Sequence, residues 1–158
     1  MTKAFSYVWC LALCFVGCSG QKSFKEMADE MAGNETPTVQ IEAMDEASII
    51  LDCRSREEYA VSHIPNAIWV GEKLDSLPFM AKSAKVVVYC SVGYRSGKFG
   101  EKLQEVGYTD VKNLWGGIFR WINLKLPLVD HLNEPTNRIH PYNDRWGKWL
   151  EYGEKAYR

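Results

Sequence analysis

Apolar residues along the chain fall into two kinds of pattern, and their alternation predicts the architecture. Ile49-Ile50-Leu51, Ala67-Ile68-Trp69-Val70 and Val86-Val87-Val88-Tyr89 are short, nearly continuous and β-rich, as strands covered on both faces are. Weaker strand patterns lie at Val39 to Ile41 and Val111 to Leu114. Between the strands the spacing turns helical. Ser23-Phe24-Lys25-Glu26 has the capping-box spacing, with Phe24, Met27, Ala28 and Met31 on one stripe and Gly33 placed to end the helix. Ser55-Arg56-Glu57-Glu58 is a second capping box, opening a helix that must stop before Pro65. A longer helix from Arg95 carries Phe99, Leu103 and Val106 on one face with Gly107 as its natural C′ residue, and Gly117 to Asn123 forms a further short helix. Alternating β and α elements define an α/β fold: a mostly parallel central sheet with helices on both faces. Its functional crevice belongs at the carboxyl ends of the strands.

The two ends of the chain depart from this alternation. Ala4 to Gly17 is apolar except for Ser6, and at the helical rise its 14 residues span roughly 21 Å, short of the ~30 Å hydrocarbon core. Residues 1–17 therefore read as a signal peptide. Its end, Phe15-Val16-Gly17-Cys18, resembles the lipobox of bacterial lipoproteins, in which the Cys is acylated and becomes the mature N-terminus. Phe15 departs from that pattern, which favours Leu there. Lipidation at Cys18 implies a place in the cell envelope, held to the membrane by the lipid on its extracytoplasmic side. Residues 18–37 then form a tether and short helix, 38–129 the domain, and 130–158 a C-terminal extension packed on it. In that extension Asn143 caps a last helix with Trp146, Trp149 and Leu150 on one face, read as packing against the domain.

Composition narrows the function. With 46% apolar and 25% charged residues, 12 Gly and 6 Pro spread along it, and no repeat, the chain is one globular domain rather than a disordered or solenoid protein. Nineteen Lys plus Arg against 20 Asp plus Glu leave no basic excess, so nucleic acid is not an expected partner. No second His or Cys stands at ligand spacing around His63, and His131 and His140 fall in the tail, so neither a metal nor another cofactor is expected.

The candidate chemistry lies in Cys90-Ser91-Val92-Gly93-Tyr94-Arg95-Ser96. A Cys just past a buried strand, a four-residue loop containing Gly, and an Arg at a helix start place backbone N–H groups and the positive helix end around one thiol. Such a setting favours thiolate. The Arg adds a planar fork suited to oxyanions. The bland alternative is an inert strand-end thiol.

Four segments, in order, resemble the rhodanese family of sulfurtransferases between about Thr38 and Val129. Leu51-Asp52-Cys53-Arg54 to Tyr59 is similar to its Asp-x-Arg segment. Ser62-His63-Ile64-Pro65-Asn66-Ala67 is similar to its Gly-His-Ile-Pro-Gly-Ala motif, with Ser62 and Asn66 in place of the two glycines. Cys90 to Arg95 is similar to the active-site loop, and Leu114-Trp115-Gly116-Gly117 to Trp121 to the Gly-Gly element that closes the domain. The resemblance implies a rhodanese-like fold. It also implies transfer of sulfane sulfur, from a small donor such as thiosulfate to a thiophilic acceptor that can be a protein thiol, through a Cys90 persulfide. Cys90 and Arg95 are then catalytic, and Ser91, Val92, Gly93, Tyr94 and Ser96 bind substrate. Asp52 and Arg54 form supporting hydrogen bonds and ion pairs below the loop, His63 is a structural hydrogen-bonder, and the protein acts as a monomer. Two further readings stay open: thiol redox chemistry between Cys90 and Cys53, and a non-catalytic binding module.

Overall fold

The computed structural model describes residues 22–157, so the expected signal peptide (1–17) and Cys18 lie outside the described residues. Helix α1 (Phe24–Ala32) opens on the first capping box, with both reciprocal Ser23–Glu26 bonds formed, and ends at Gly33 with φ +64°. Then follow β1 (Thr38–Val39), β2 (Ile49–Asp52), α2 (Arg56–Val61), β3 (Ile68–Trp69), β4 (Lys85–Tyr89), α3 (Tyr94–Glu105), β5 (Asp110–Leu114) and α4 (Gly117–Asn123). The second capping box, Ser55 with Glu58, opens α2 as expected.

The five strands form one sheet in the order β1-β5-β4-β2-β3, every neighbouring pair parallel. Strand β4 lies at its centre, and its alternating side chains feed two cores. Val86 and Val88 pack with Phe99 and Leu103 of α3, while Val87 and Tyr89 pack with Ile118, Phe119 and Ile122 of α4. Helices on both faces explain the unbroken Val86–Tyr89 run, because neither side of the strand meets water. Val106, expected on the buried stripe of α3, is instead 43% exposed: the helix ends at Glu105, and Val106 turns outward as its cap.

The extension folds onto the α4 side. Strands β6 (Leu128–Val129) and β7 (Pro135–Thr136) form an antiparallel pair. Strand β8 (Arg138–Ile139) and, past helix α5 (Asp144–Gly147), strand β9 (Glu154–Lys155) form a parallel one. Ile139 is fully buried in the α4 core, and Leu150 joins it. Asn143 caps α5 by accepting from Trp146 N–H at 3.2 Å. The helix stops at Gly147, short of Trp149 and Leu150, so the predicted three-residue face is split between helix and loop. Phe24 meets both Trp115 and Trp149 edge-on, at centroid distances of 6.2 and 6.4 Å, and so joins α1 to the domain and the extension.

Candidate active site

Strand β4 delivers Cys90 to the carboxyl edge of the sheet. The loop then turns at Gly93, whose φ of +111° is open to glycine and costly for a side chain. This turn aims the Gly93 N–H at Cys90 Sγ, 3.2 Å away. Asn113 on β5 fixes the same peptide from the other side. Its side-chain amide donates to the Gly93 carbonyl at 2.9 Å, and its oxygen accepts from the Ser96 hydroxyl at 2.8 Å. Asn113 is fully buried, and a lone Asn inside the Val111–Leu114 strand run was the only sequence signal for this role.

The first turn of α4 clamps the loop from below. Ile118 N–H donates to the Cys90 carbonyl at 2.9 Å and Phe119 N–H to the Ser91 carbonyl at 3.1 Å. Those carbonyls come so close to Gly117 that any Cβ there would stand 2.3 Å from one and 2.7 Å from the other. The Gly-Gly element is thus a contact surface for the Cys90 loop.

Arg95 is held by Glu58 at the edge of the cleft that Cys90 also lines. Its two terminal nitrogens donate to the two Glu58 oxygens, each at 2.8 Å, and one also donates to the Ser91 hydroxyl at 3.0 Å. The Ser91 hydroxyl in turn donates to Glu58 Oε1 at 3.0 Å. Glu58 is 2% exposed. Burial alone would push its carboxyl up, but the Arg95 bonds and charge outweigh burial and hold it at about 2. The Tyr142 ring of the extension lies over the guanidinium, 5.0 Å away. In the sequence, Glu58 stands out only as the helix cap of α2. The same carboxylate does both, accepting the Ser55 N–H at 3.0 Å as well.

Beneath the loop, Arg54 and Asp52 form a fully buried ion pair at 2.6 Å, with Tyr89 donating to the same Asp52 oxygen at 2.6 Å. Burial, then the Asp52 charge, push the Tyr89 phenol well above its usual range, so Tyr89 stays a donor. Arg54 also donates to the Ser62 carbonyl at 2.7 Å, tying β2 to the His63 segment. His63 stacks on Tyr59 at 3.8 Å, and its Nδ1 lies 3.2 Å from the Tyr59 carbonyl. Burial lowers its pKa.

The expected substrate-binding residues separate into two groups. Ser91, Val92 and Tyr94, with Cys90 and Arg95, line one cleft of about 390 Å³. Gly93 and Ser96 do not: Gly93 meets Cys90 through its backbone N–H, and Ser96 is fully buried and spends its hydroxyl on Asn113 and the Gly93 carbonyl, a correction that follows from its place on the inward side of α3. Cys53 faces away too, packed with Leu51, Val70 and Val88. Burial, and then the nearby Cys90, push its thiol well above the usual range, and both cysteines are free. The remaining cleft walls, Met31, Tyr142 and Trp146, come from α1 and the extension. Sequence pattern alone marks Met31 and Trp146 as packing residues and gives no signal at Tyr142.

A parallel sheet with a Cys-x4-Arg loop at its carboxyl edge defines a single rhodanese-type domain. The family model for the rhodanese-like domain matches residues 36–124, more than half of the chain, and the chain belongs to that family. It is 31% identical over 121 residues to a tRNA uridine(34) hydroxylase of Streptococcus pyogenes and to one of Streptococcus agalactiae. These matches cover 62% of this chain and 36% of each relative, so the chain spans about a third of the length of those curated relatives. Among solved structures, a rhodanese-related protein from Thermoplasma volcanium is similar with a TM-score of 0.52 and 27% identity, covering 59% of this chain and 97% of that one. A human single-domain sulfurtransferase shares the fold at a TM-score of 0.50 and 23% identity, covering 54% and 95% of the two chains.

Proposed function

We propose that this protein transfers sulfane sulfur through a persulfide on Cys90. The observation that carries the reading is the Gly93 N–H directed at Cys90 Sγ within a Cys-x4-Arg loop. A fixed N–H dipole at that distance stabilises the negative charge carried by the sulfur in the transition state and as it leaves. In the first half-reaction the Cys90 thiolate attacks the outer sulfur of a donor. The sulfur–sulfur bond to the rest of the donor breaks, and its electron pair departs with the leaving group, for thiosulfate as sulfite. In the second, a nucleophile such as cyanide or a thiolate attacks the terminal sulfur and Cys90 leaves as thiolate. No net oxidation of the protein occurs, and the kinetics are ping-pong.

Two other readings are less well supported. A disulfide cycle needs Cys53 as a thiolate, and its apolar surroundings disfavour that form. The hydroxylase activity in the relatives' name belongs to proteins of which this chain spans a third, and its charge balance offers no basic surplus for RNA. The deciding experiment treats the purified chain with thiosulfate or an organic thiosulfonate, reads the mass of the Cys90 peptide, and then adds cyanide. One added sulfur on Cys90, discharged as thiocyanate, is expected. Loss of two hydrogens joining Cys90 to Cys53, or no mass change with any donor, overturns the proposal.

We also propose that Cys18 is acylated and holds the domain on the extracytoplasmic side of a bacterial membrane. The support is the Val16-Gly17-Cys18 junction after an apolar segment too short to span a bilayer. Growth of an expressing bacterium with a clickable palmitate analogue is expected to label the chain but not its Cys18→Ser variant. An unlabelled wild-type chain refutes the anchor.

A further inference from the structure

The cleft above Cys90 is built for something other than a small dianion. Its volume of about 390 Å³ falls within the roughly 300–1,000 Å³ that holds a drug-sized ligand, whereas thiosulfate fills only a corner of it. Its walls are Met31, Val92, Tyr94, Tyr142 and Trp146, an apolar and mainly aromatic set around one thiol. Three of the five, Met31, Tyr142 and Trp146, stand outside the family-matched segment 36–124. The rhodanese-like domain thus contributes the sulfur chemistry, while the flanking segments contribute a pocket for the body of a substrate.

Charge points the same way. Among the described residues that line the cleft, Arg95 is the one cation, and Glu58 meets both of its terminal nitrogens. Arg54, the next guanidinium below, is paired with Asp52. A doubly charged donor approaching the Cys90 thiolate would find its attraction to Arg95 largely cancelled by Glu58, whereas a singly charged donor has less repulsion to overcome.

We infer that the cleft selects a singly charged organic sulfane-sulfur donor, a persulfide R–S–S⁻ or thiosulfonate R–SO₂–S⁻ whose R group is aromatic or bulky and apolar. This rests on the sulfurtransferase reading and names its substrate class. The step balances: Cys90–S⁻ and R–SO₂–S⁻ give Cys90–S–S⁻ and the sulfinate R–SO₂⁻, and a persulfide donor likewise gives R–S⁻. The R group lies against Trp146, Tyr142 and Met31 while its outer sulfur meets Cys90.

The test compares kcat/KM for benzenethiosulfonate and methanethiosulfonate, which carry the same charge and reacting group, with cyanide as acceptor. The ratio of their rates with a small free thiol supplies the intrinsic difference. The full chain is expected to exceed that intrinsic ratio about tenfold or more, and the excess is expected to fall about fivefold in Tyr142→Ala and in Met31→Ala. Because each ratio is taken within one variant, a lower active fraction cancels. Glu58→Gln, which frees the Arg95 charge, is expected to raise thiosulfate relative to methanethiosulfonate. A ratio equal to that of the free thiol, with transfer to Cys90 intact, overturns this inference alone. No transfer from any donor overturns the sulfurtransferase reading and this inference with it.

Discussion

Replacing Gly117 by alanine is expected to cut sulfur transfer at least about a hundredfold, since a shift of about 1 Å in a reacting group is enough for that. It is also expected to cost about 2–4 kcal/mol of stability, from left-handed backbone strain together with weakened loop hydrogen bonds. Gly117 sits at φ +54°, and an added Cβ would stand 2.3 Å from the Cys90 carbonyl oxygen and 2.7 Å from that of Ser91. Both neighbours are backbone, so neither can swing aside as a side-chain tip would. Moving them breaks the bonds from Ile118 and Phe119, which are the floor of the Cys90 loop. Gly107→Ala is the matched control. It has φ +95° but nothing within 4 Å of the new methyl, so it carries the backbone strain without the collision. Urea denaturation and donor-dependent kcat/KM of the two variants separate the effects. If Gly117→Ala transfers sulfur as well as Gly107→Ala does, the clamp does not set the geometry of Cys90.

That clamp was half legible in the sequence. The helix Gly117–Asn123 and the strand before Cys90 follow from local pattern, because a parallel strand buried on both faces must be apolar throughout and a short helix needs its stripe. Both capping boxes formed as spaced, since their bonds close within three residues. Pattern does not carry strand order. The sequence offers no reason for β2 to lie beside β4, yet that adjacency brings the start of α2, and Glu58 with it, to Arg95 across 37 positions. Ser96 follows the binding loop directly in sequence, but the hydrogen-bonding demand of Asn113 pulls it inward. The aromatic residues of the extension posed a subtler problem. Trp146 at helical spacing looks like a core residue, and it does pack on the α4 core, but the same ring also walls the cleft. Burial and function are not alternatives for a side chain with two faces.

Acid should expose the Glu58–Arg95 pair as a titratable support of the fold. Glu58 is held at about 2 in the folded chain against 4.5 ordinarily, so between those values the unfolded chain binds the extra proton and the folded chain does not. The stability contributed by the carboxylate is therefore complete above about pH 4.5 and is lost as pH falls toward 2. The shift corresponds to roughly 3 kcal/mol. Burial opposes this shift, and the two Arg95 bonds and charge overcome it, so the effect measures the pair and not the surface. In Glu58→Gln the side chain can still accept from Ser55 and Ser91 but has no proton to gain. Its urea midpoint is expected to lie below wild type at neutral pH and to approach it as pH falls from about 5 to 2. Surface carboxylates such as Asp45 and Asp130, lowered by their own hydrogen bonds, titrate in both proteins and drop out of the difference. Parallel stability curves for the two proteins across that window would mean that Glu58 has the same pKa folded and unfolded, so that the Arg95 pair does not hold its carboxylate. Glu58 would then be too weakly tied to Arg95 to cancel its charge, and the case for a singly charged donor would lose its electrostatic half.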